Sequence, residues 1–427
     1  MKPLRIILEG SILLLTATAF AIPALAATPE VPQVQVRYAH LPYFDHTQAI
    51  IGLKQGWFKD VGVTFTPNDV GIVVSSGDAI SVFASGRVDV ISGSAQLFMP
   101  AVKTLPPFKQ FFYADIFQGY AIMAQPDGGY KSFQEFLAGG MSPDDAFKAT
   151  VGQMKGKKFA FPAEAAIKGF IDLSIQKGGL TLSDVDAVGA PEDSANVALM
   201  QAKRADFQVG GVPSHISLEQ AHFKPILTSG DLAAYAKPTV DSTELRAVFQ
   251  DGWLATDQWI NANYETALRI ASVGFRINQY IADHPDEAAA IHTPFLNSVA
   301  GTTFENSAAK VAYSGLDPFW TFDQQKGWVS DKNNALNAEY VIGSAIKIYE
   351  EKGLFKPGEV TWDQFTVVPR IYKDLLDYRA KTDELFKKLD ATAPKGDAAG
   401  LLAKAKAFYA GFDFLDAYHF ASAAAGG

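Results

Sequence analysis

The chain has 427 residues, 48% of them hydrophobic, which is apolar material for more than one core, and two domains are the expectation at this length. Its 46 acidic residues outnumber 37 basic ones, and the resulting net charge of −9 argues against nucleic acid or an anionic membrane surface as a partner. The absence of cysteine excludes disulfides, a lipid-anchored start and thiolate metal sites.

Lys2 and Arg5 precede an apolar run from Ser11 to Ile22 and the small-x-small triplet Ala24-Leu25-Ala26. This order predicts a signal peptide over residues 1–26, removed after Ala26 or Ala27, and a periplasmic location. The run is shorter than the ~20 residues a spanning helix needs, so no membrane insertion is expected. Val34–Tyr38 alternates and reads as a strand. Asp45 and Gln48 have capping-box spacing ahead of an apolar face made by Ala49, Ile50 and Leu53, with Gly56 as the stop. Val61–Thr66 reads as a second strand, Gly77–Ala84 as a helix and Val88–Ser92 as a third strand, followed by a helix start at Ser94-Ala95-Gln96. Strand and helix thus alternate, as in parallel units with right-handed crossovers.

A second series follows Tyr120–Ala124: strand Lys158–Phe161, helix Pro162–Lys177, strand Val185–Val188, helix Ala195–Ala202 and strand Asp206–Val209. Gly128–Gly156, with a helical pattern from Pro143 to Met154, reads as a surface insertion. After Trp253 the chain turns helical; Leu268, Ala271 and Phe275 share one face, and Pro285 opens another helix. The tail from Lys381 is rich in Ala and Lys and is expected to be a helical extension.

Five segments in order resemble one class of ABC-importer solute-binding protein, the sulfonate, nitrate and thiamine-pyrimidine-precursor type. They are Leu53-Lys54-Gln55-Gly56-Trp57-Phe58-Lys59-Asp60, Gly86-Arg87-Val88-Asp89-Val90, Met154-Lys155-Gly156-Lys157-Lys158-Phe159-Ala160-Phe161-Pro162, Ala198-Leu199-Met200-Gln201-Ala202-Lys203-Arg204-Ala205-Asp206, and Trp253-Leu254-Ala255 leading to His284-Pro285-Asp286. The resemblance runs from about Val34 to about Tyr378. It implies an α/β chain with the type II periplasmic binding protein fold: two lobes, a hinge of two crossing strands and a ligand cleft between them. Lobe I would take residues 31–122 and 250–380, lobe II residues 123–249, and the C-terminal extension residues 381–427. It also implies a monomer that captures a small-molecule ligand and delivers it to the ABC transporter permease, with no cofactor.

Strand-end loops carry the site in open α/β sheets. In the Ala39–Thr47 turn, Tyr43 or Phe44 is expected to stack on the ligand, with Asp45 or His46 as polar contacts. Ser94 and Gln96 form a second lip, and Trp253 stands where the chain returns to the first lobe. Glu164 and Asp193 stand at the matching helix starts of the second lobe. Facing the cleft, they would repel nitrate or a bare sulfonate and favour amine or ring N–H donors. Pyrimidine-like compounds and aminosulfonates are therefore the expected ligands. His40 and His46 find no third ligating residue at convincing spacing, so no metal is expected. No G-x-S-x-G, H-E-x-x-H or P-loop is present, which argues against an enzyme. The alternatives are an enzyme related to thiamine-pyrimidine synthesis and a sensor feeding a receptor.

Overall fold

The computed structural model describes residues 29–162, 165–189 and 193–426, with residues 165, 166 and 193 described in their backbone alone. The expected signal segment, Glu164 and the side chain of Asp193 lie outside the described residues. Among the described residues no helix is long and apolar enough to cross a membrane.

The first sheet starts from β1 (Val34–His40), whose last three residues are all buried. Such a run fits a central strand covered on both faces. β2 (Val63–Thr66), β3 (Ile72–Val73) and β4 (Val90–Ser94) run parallel to β1, and β5 (Phe108–Phe117) lies at the far edge. The chain leaves this sheet at Phe117 and enters a second one through β6 (Ala121–Ala124). That sheet is completed by β7 (Lys158–Ala160), β8 (Asp186–Ala187), β9 (Phe207–Gly210) and β10 (Lys224–Thr228), in the order β10-β6-β9-β7-β8. The return strand β11 (Phe249–Thr256) inserts between β4 and β5, antiparallel to both, and gives the first sheet the order β2-β1-β4-β11-β5. Two connections therefore join the sheets, residues 118–120 and residues 229–248, which is the arrangement a hinge needs.

Three local expectations are corrected. Asp45 does not cap a helix: the short helix Phe44–Thr47 begins at Tyr43, and Asp45 lies buried inside its first turn. Residues 128–156 are not a surface insertion. Helices Phe133–Ala138 and Pro143–Gly152 stack Phe133 on Phe147, ring centroids 4.2 Å apart, and both rings are buried against the second lobe. Surface polarity at Asp144, Asp145 and Lys148 hid this buried stripe in the sequence.

The tail does not begin at Lys381. Helix Val368–Thr392 crosses that position unbroken, and helices Asp397–Ala410 and Phe414–Gly426 fold back on it. Phe414 packs on Phe322 of the first lobe, 5.3 Å between centroids. Arg269, on helix Tyr264–Asp283, grips Asp416 with two bonds of 2.8 Å, both side chains being buried.

Candidate functional site

A cavity of about 80 Å³ lies between the two sheets, walled by residues at strand ends and helix starts. From the first lobe, Leu41, Tyr43, Asp45 and His46 follow β1, Ser76 opens helix Ser76–Ala84, and Ser94 and Leu97 follow β4. Phe117 ends β5, Tyr120 lies in the first crossing, and Phe249 and Asp251 stand on β11. The second lobe contributes Ile167 and the turn Gly211-Val212-Pro213 at the start of helix Val212–Gln220. That helix start presents unpaired N–H groups and the positive end of a dipole.

The opening turn of the first lobe is held from behind. The Thr47 hydroxyl donates to the Tyr43 carbonyl at 2.7 Å and lies 2.7 Å from His292 Nε2, while His292 Nδ1 meets the Tyr313 hydroxyl at 2.8 Å. His46 Nδ1 pairs with Ser92 Oγ at 3.0 Å. Its Nε2 then faces Asp45 Oδ2 at 3.4 Å and Asp251 Oδ1 at 3.9 Å. Tyr43 is half-buried, its hydroxyl 3.0 Å from Ser76 Oγ. Across the cavity Phe117 and Tyr120 meet edge to face at 4.6 Å, and Tyr120 meets Phe249 at 6.0 Å. The wall is therefore aromatic on one side and acidic on the other.

The acidic side runs deeper than the cavity. Asp115 on β5 is the direct cross-strand partner of Asp251 on β11. The register shifts at Asp251/Gly252, so one extra residue, Ala114, bulges out of β5. A bulge of this kind re-aims side chains beside a site. Gly252 permits it: a Cβ there would lie 2.0 Å from the Phe112 carbonyl oxygen. Asp317 follows a wide helical turn, Ala312–Leu316, and the next residues pair with β5 through Ile116 N–H to the Pro318 carbonyl. Both Asp115 and Asp317 are fully buried. Burial, then the Asp45, Asp251 and Asp317 charges, drives the Asp115 carboxyl well above its ordinary range. Burial followed by Asp45 does the same to Asp251 and Asp317, although a Ser94 hydroxyl bond opposes it at Asp251. Burial pushes Asp45 up to about 7 and His46 down to about 3, so the imidazole is neutral.

The structure brings Tyr43, Asp45, His46 and Ser94 together on the cavity wall. Phe44 and Trp253 do not line it. Phe44 points inward onto His292 and Phe304, and the Trp253 indole lies between Phe58 and Phe112 with its N–H on the Tyr38 hydroxyl. Adjacent residues on a one-turn helix point in different directions and on a strand to opposite faces, and the sequence does not say which side is core. Gln96 is buried behind Ser94 and also leaves the wall. His40 is wedged between Tyr38 and Phe295, apart from the acids. The reading that the histidines find no third ligating residue is revised: Asp45, His46 and Asp251 each offer a ligand atom, and the atoms lie within 4.8 Å of one another. Sequence reading missed Asp115, Asp251 and Asp317 because they are separated by more than 130 residues and more than 60 residues along the chain. The only local signal was Asp251-Gly252, an acid beside a glycine ahead of an apolar strand.

No protein-family model and no curated protein sequence matches the chain. Solved structures do. The periplasmic sulfonate-binding protein SsuA of Methylobacillus flagellatus superposes with a TM-score of 0.54 at 15% identity, covering 80% of this chain and 95% of that one. The periplasmic aliphatic sulphonate binding protein SsuA of Escherichia coli gives 0.54 at 12%, covering 79% and 98%. The desulfurization enzyme DSZB gives 0.52 at 11%, covering 81% and 99%. The chain has the periplasmic binding protein fold, α/β and two-lobed, with added C-terminal helices. A binding protein and an enzyme share that fold, so function has to be argued from the cleft.

Proposed function

We propose that this chain is the solute-binding component of an ABC importer, exported to the periplasm, which captures a small organic solute in the interlobe cleft and delivers it to a membrane permease. The carrying observation is the wall itself. Two carboxylates, Asp45 and Asp251, and four aromatic rings line the cavity, and no lysine or arginine does so among the described residues. Such a wall selects a positively charged or N–H-rich group and stacks on a flat one. The structural relatives named for sulfonates are similar in fold alone. A bare sulfonate would meet the two carboxylates here; an aminosulfonate would place its cationic end on Asp45 and Asp251 and its anionic end on the helix start at Gly211–Pro213. Pyrimidine-like solutes would use the rings and the carboxylates together. The cavity is compact, so a larger solute enters through opening of the two crossings.

One geometric observation favours binding over serine-type catalysis: Ser92, which pairs with the His46 imidazole, is wholly buried and does not line the cavity.

Three measurements test this reading. N-terminal sequencing of the exported protein is expected to start at Ala27 or Thr28; a retained, membrane-bound amino terminus would contradict export. Native mass spectrometry of protein taken from its own periplasm is expected to catch a co-purified solute. Tyr43→Ala is expected to weaken that solute at least tenfold, equivalent to ~1.4 kcal/mol, through loss of ring contact and of the ordered lip. Unchanged affinity would take Tyr43 out of the site.

A further inference from the structure

The acidic wall holds more carboxylate than one organic cation uses, and its spacing is informative. Around an ammonium group, acceptors stand ~2.8 Å from nitrogen, which puts tetrahedrally arranged acceptors ~4.6 Å apart. Around a transition metal, donors stand ~2.0–2.2 Å from the ion, and the same geometry puts them ~3.4 Å apart. His46 Nε2 lies 3.4 Å from Asp45 Oδ2 and 3.9 Å from Asp251 Oδ1. Both gaps are nearer the metal spacing than the ammonium one, and all three ligand atoms lie within 4.8 Å of one another. Ser92 Oγ can donate to or accept from His46 Nδ1; in the tautomer where Nδ1–H donates to Ser92 Oγ, the Nε2 lone pair faces the carboxylates and is free to take a proton or a cation.

A second observation is independent of those three residues. Asp115 is 0% exposed, and neither of its oxygens has a hydrogen-bond partner among the described residues. As the cross-strand partner of Asp251 it shares a face of the sheet with it and is aimed at the same spot. Asp317 is likewise 0% exposed with both oxygens unpartnered. Among the described residues no lysine or arginine forms an ion pair with any of the four aspartates, whose only ionic neighbour is His46. A group of buried acids without a counter-charge needs protons or a cation to be tolerated.

We propose that Asp45, His46 and Asp251 form a seat for a divalent transition-metal ion on the wall of the cleft, with Asp115 and Asp317 as the charge behind it and the cavity side left open for a donor from the solute. The inference rests on the cleft being the solute site, and it makes the cationic part of the cargo a metal ion. Imidazole with two carboxylates suits Zn²⁺, Co²⁺ or Mn²⁺; Mg²⁺ and Ca²⁺ prefer oxygen-only shells.

The test uses untagged protein expressed from its full-length reading frame, stripped with chelator and then freed of it. Calorimetric titration with Zn²⁺ alone is expected to give one site per chain, with Mg²⁺ at least tenfold weaker. Co²⁺ is expected to give the visible absorption of a low-coordinate site. Asp251→Asn and His46→Gln are each expected to weaken Zn²⁺ at least tenfold. Because Asp251→Asn removes a buried like charge, its metal-free melting temperature is expected to hold or rise, so loss of binding cannot be read as loss of fold. No stoichiometric binding, or binding that both variants leave unchanged, overturns the proposal. Native mass spectrometry of the stripped protein with its periplasmic solute separates the two readings. Solute retained without metal overturns the metal seat and leaves solute capture standing; solute bound only when Zn²⁺ is restored supports both.

Discussion

Arg269→Met is expected to destabilise the folded protein by about 3–5 kcal/mol, the cost of leaving one member of a buried ion pair without its partner. Arg269 Nε and Nη2 each donate to Asp416 at 2.8 Å, in a two-pronged geometry, and the side chains are only 4% and 3% exposed. The pair ties the last helix to the first lobe, so the whole extension loosens with it. Arg269→Met with Asp416→Leu is expected to recover most of the loss, since a well-packed apolar pair replaces a satisfied buried pair at little cost. Equilibrium urea unfolding reads both values. An unchanged midpoint in Arg269→Met would mean that helix Phe414–Gly426 is not docked where the structure places it. Deleting residues 381–427 removes Asp416 and cuts the long helix at its middle; stability is expected to drop while solute affinity stays within a few-fold, because no described residue of the tail lines the cavity.

The same pair sets a pH dependence. Burial alone would raise the Asp416 carboxyl, but the Arg269, His419 and Asp413 contacts outweigh it and hold it below its ordinary range. A carboxyl depressed in the folded state binds fewer protons there than in the unfolded chain, where its pKa is ~3.9. Its contribution is therefore complete above about pH 5 and is lost as pH falls toward the folded value. The difference between wild type and Asp416→Asn is expected to be full at pH 7 and to narrow below pH ~4. A difference that stays constant down to pH 3 would contradict the pairing.

Phe44→Ala is expected to cost about 3–5 kcal/mol, whereas Tyr43→Ala next to it costs ~1 kcal/mol or less. Phe44 is 0% exposed and fills the space between His292 and Phe304; its removal leaves a cavity that the rigid Thr47–His292–Tyr313 chain prevents from collapsing. Tyr43 is half-buried on the cavity wall, so its removal leaves a gap that opens to the cavity and not a sealed hole in the core. The expected pattern is a crossed one: Phe44→Ala loses stability and Tyr43→Ala loses solute affinity. Chemical denaturation and calorimetry on both variants measure it. Equal stability losses would place both rings in the core.

Much of the site was legible because strand ends announce themselves. Alternation in β1, followed by a polar and aromatic turn, placed Tyr43, Asp45 and His46 at a sheet crevice; the Ser94 cap did the same after β4. What misled was the pairing of neighbours. Tyr43 and Phe44 were equivalent in sequence, but one faces the cleft and the other the core. Trp253 looked like an available ring at the return strand, yet β11 is central in its sheet, covered on both faces, and the indole is sealed in. Residues 133–152 carry enough surface charge to read as an insertion, although Phe133 and Phe147 close the second lobe.

The sequence by itself determined the alternation of strands and helices, the reset of that pattern in the middle of the chain, the helical ending, and the turn that opens the cleft. These are local properties: a period of 2 or 3.6, a cap, a glycine stop. Only the tertiary structure decided which acids meet. Asp45, Asp115, Asp251 and Asp317 come from four distant stretches, and no spacing along the chain relates them. The antiparallel return of β11 beside β5, with its bulge at Gly252, puts Asp251 opposite Asp115, and the helix after β1 lays Asp45 and His46 over them. Sequence patterns report where each chain segment hides its own apolar face; a cluster of like charges gathered across a sheet is a property of strand order and register, which those patterns leave open.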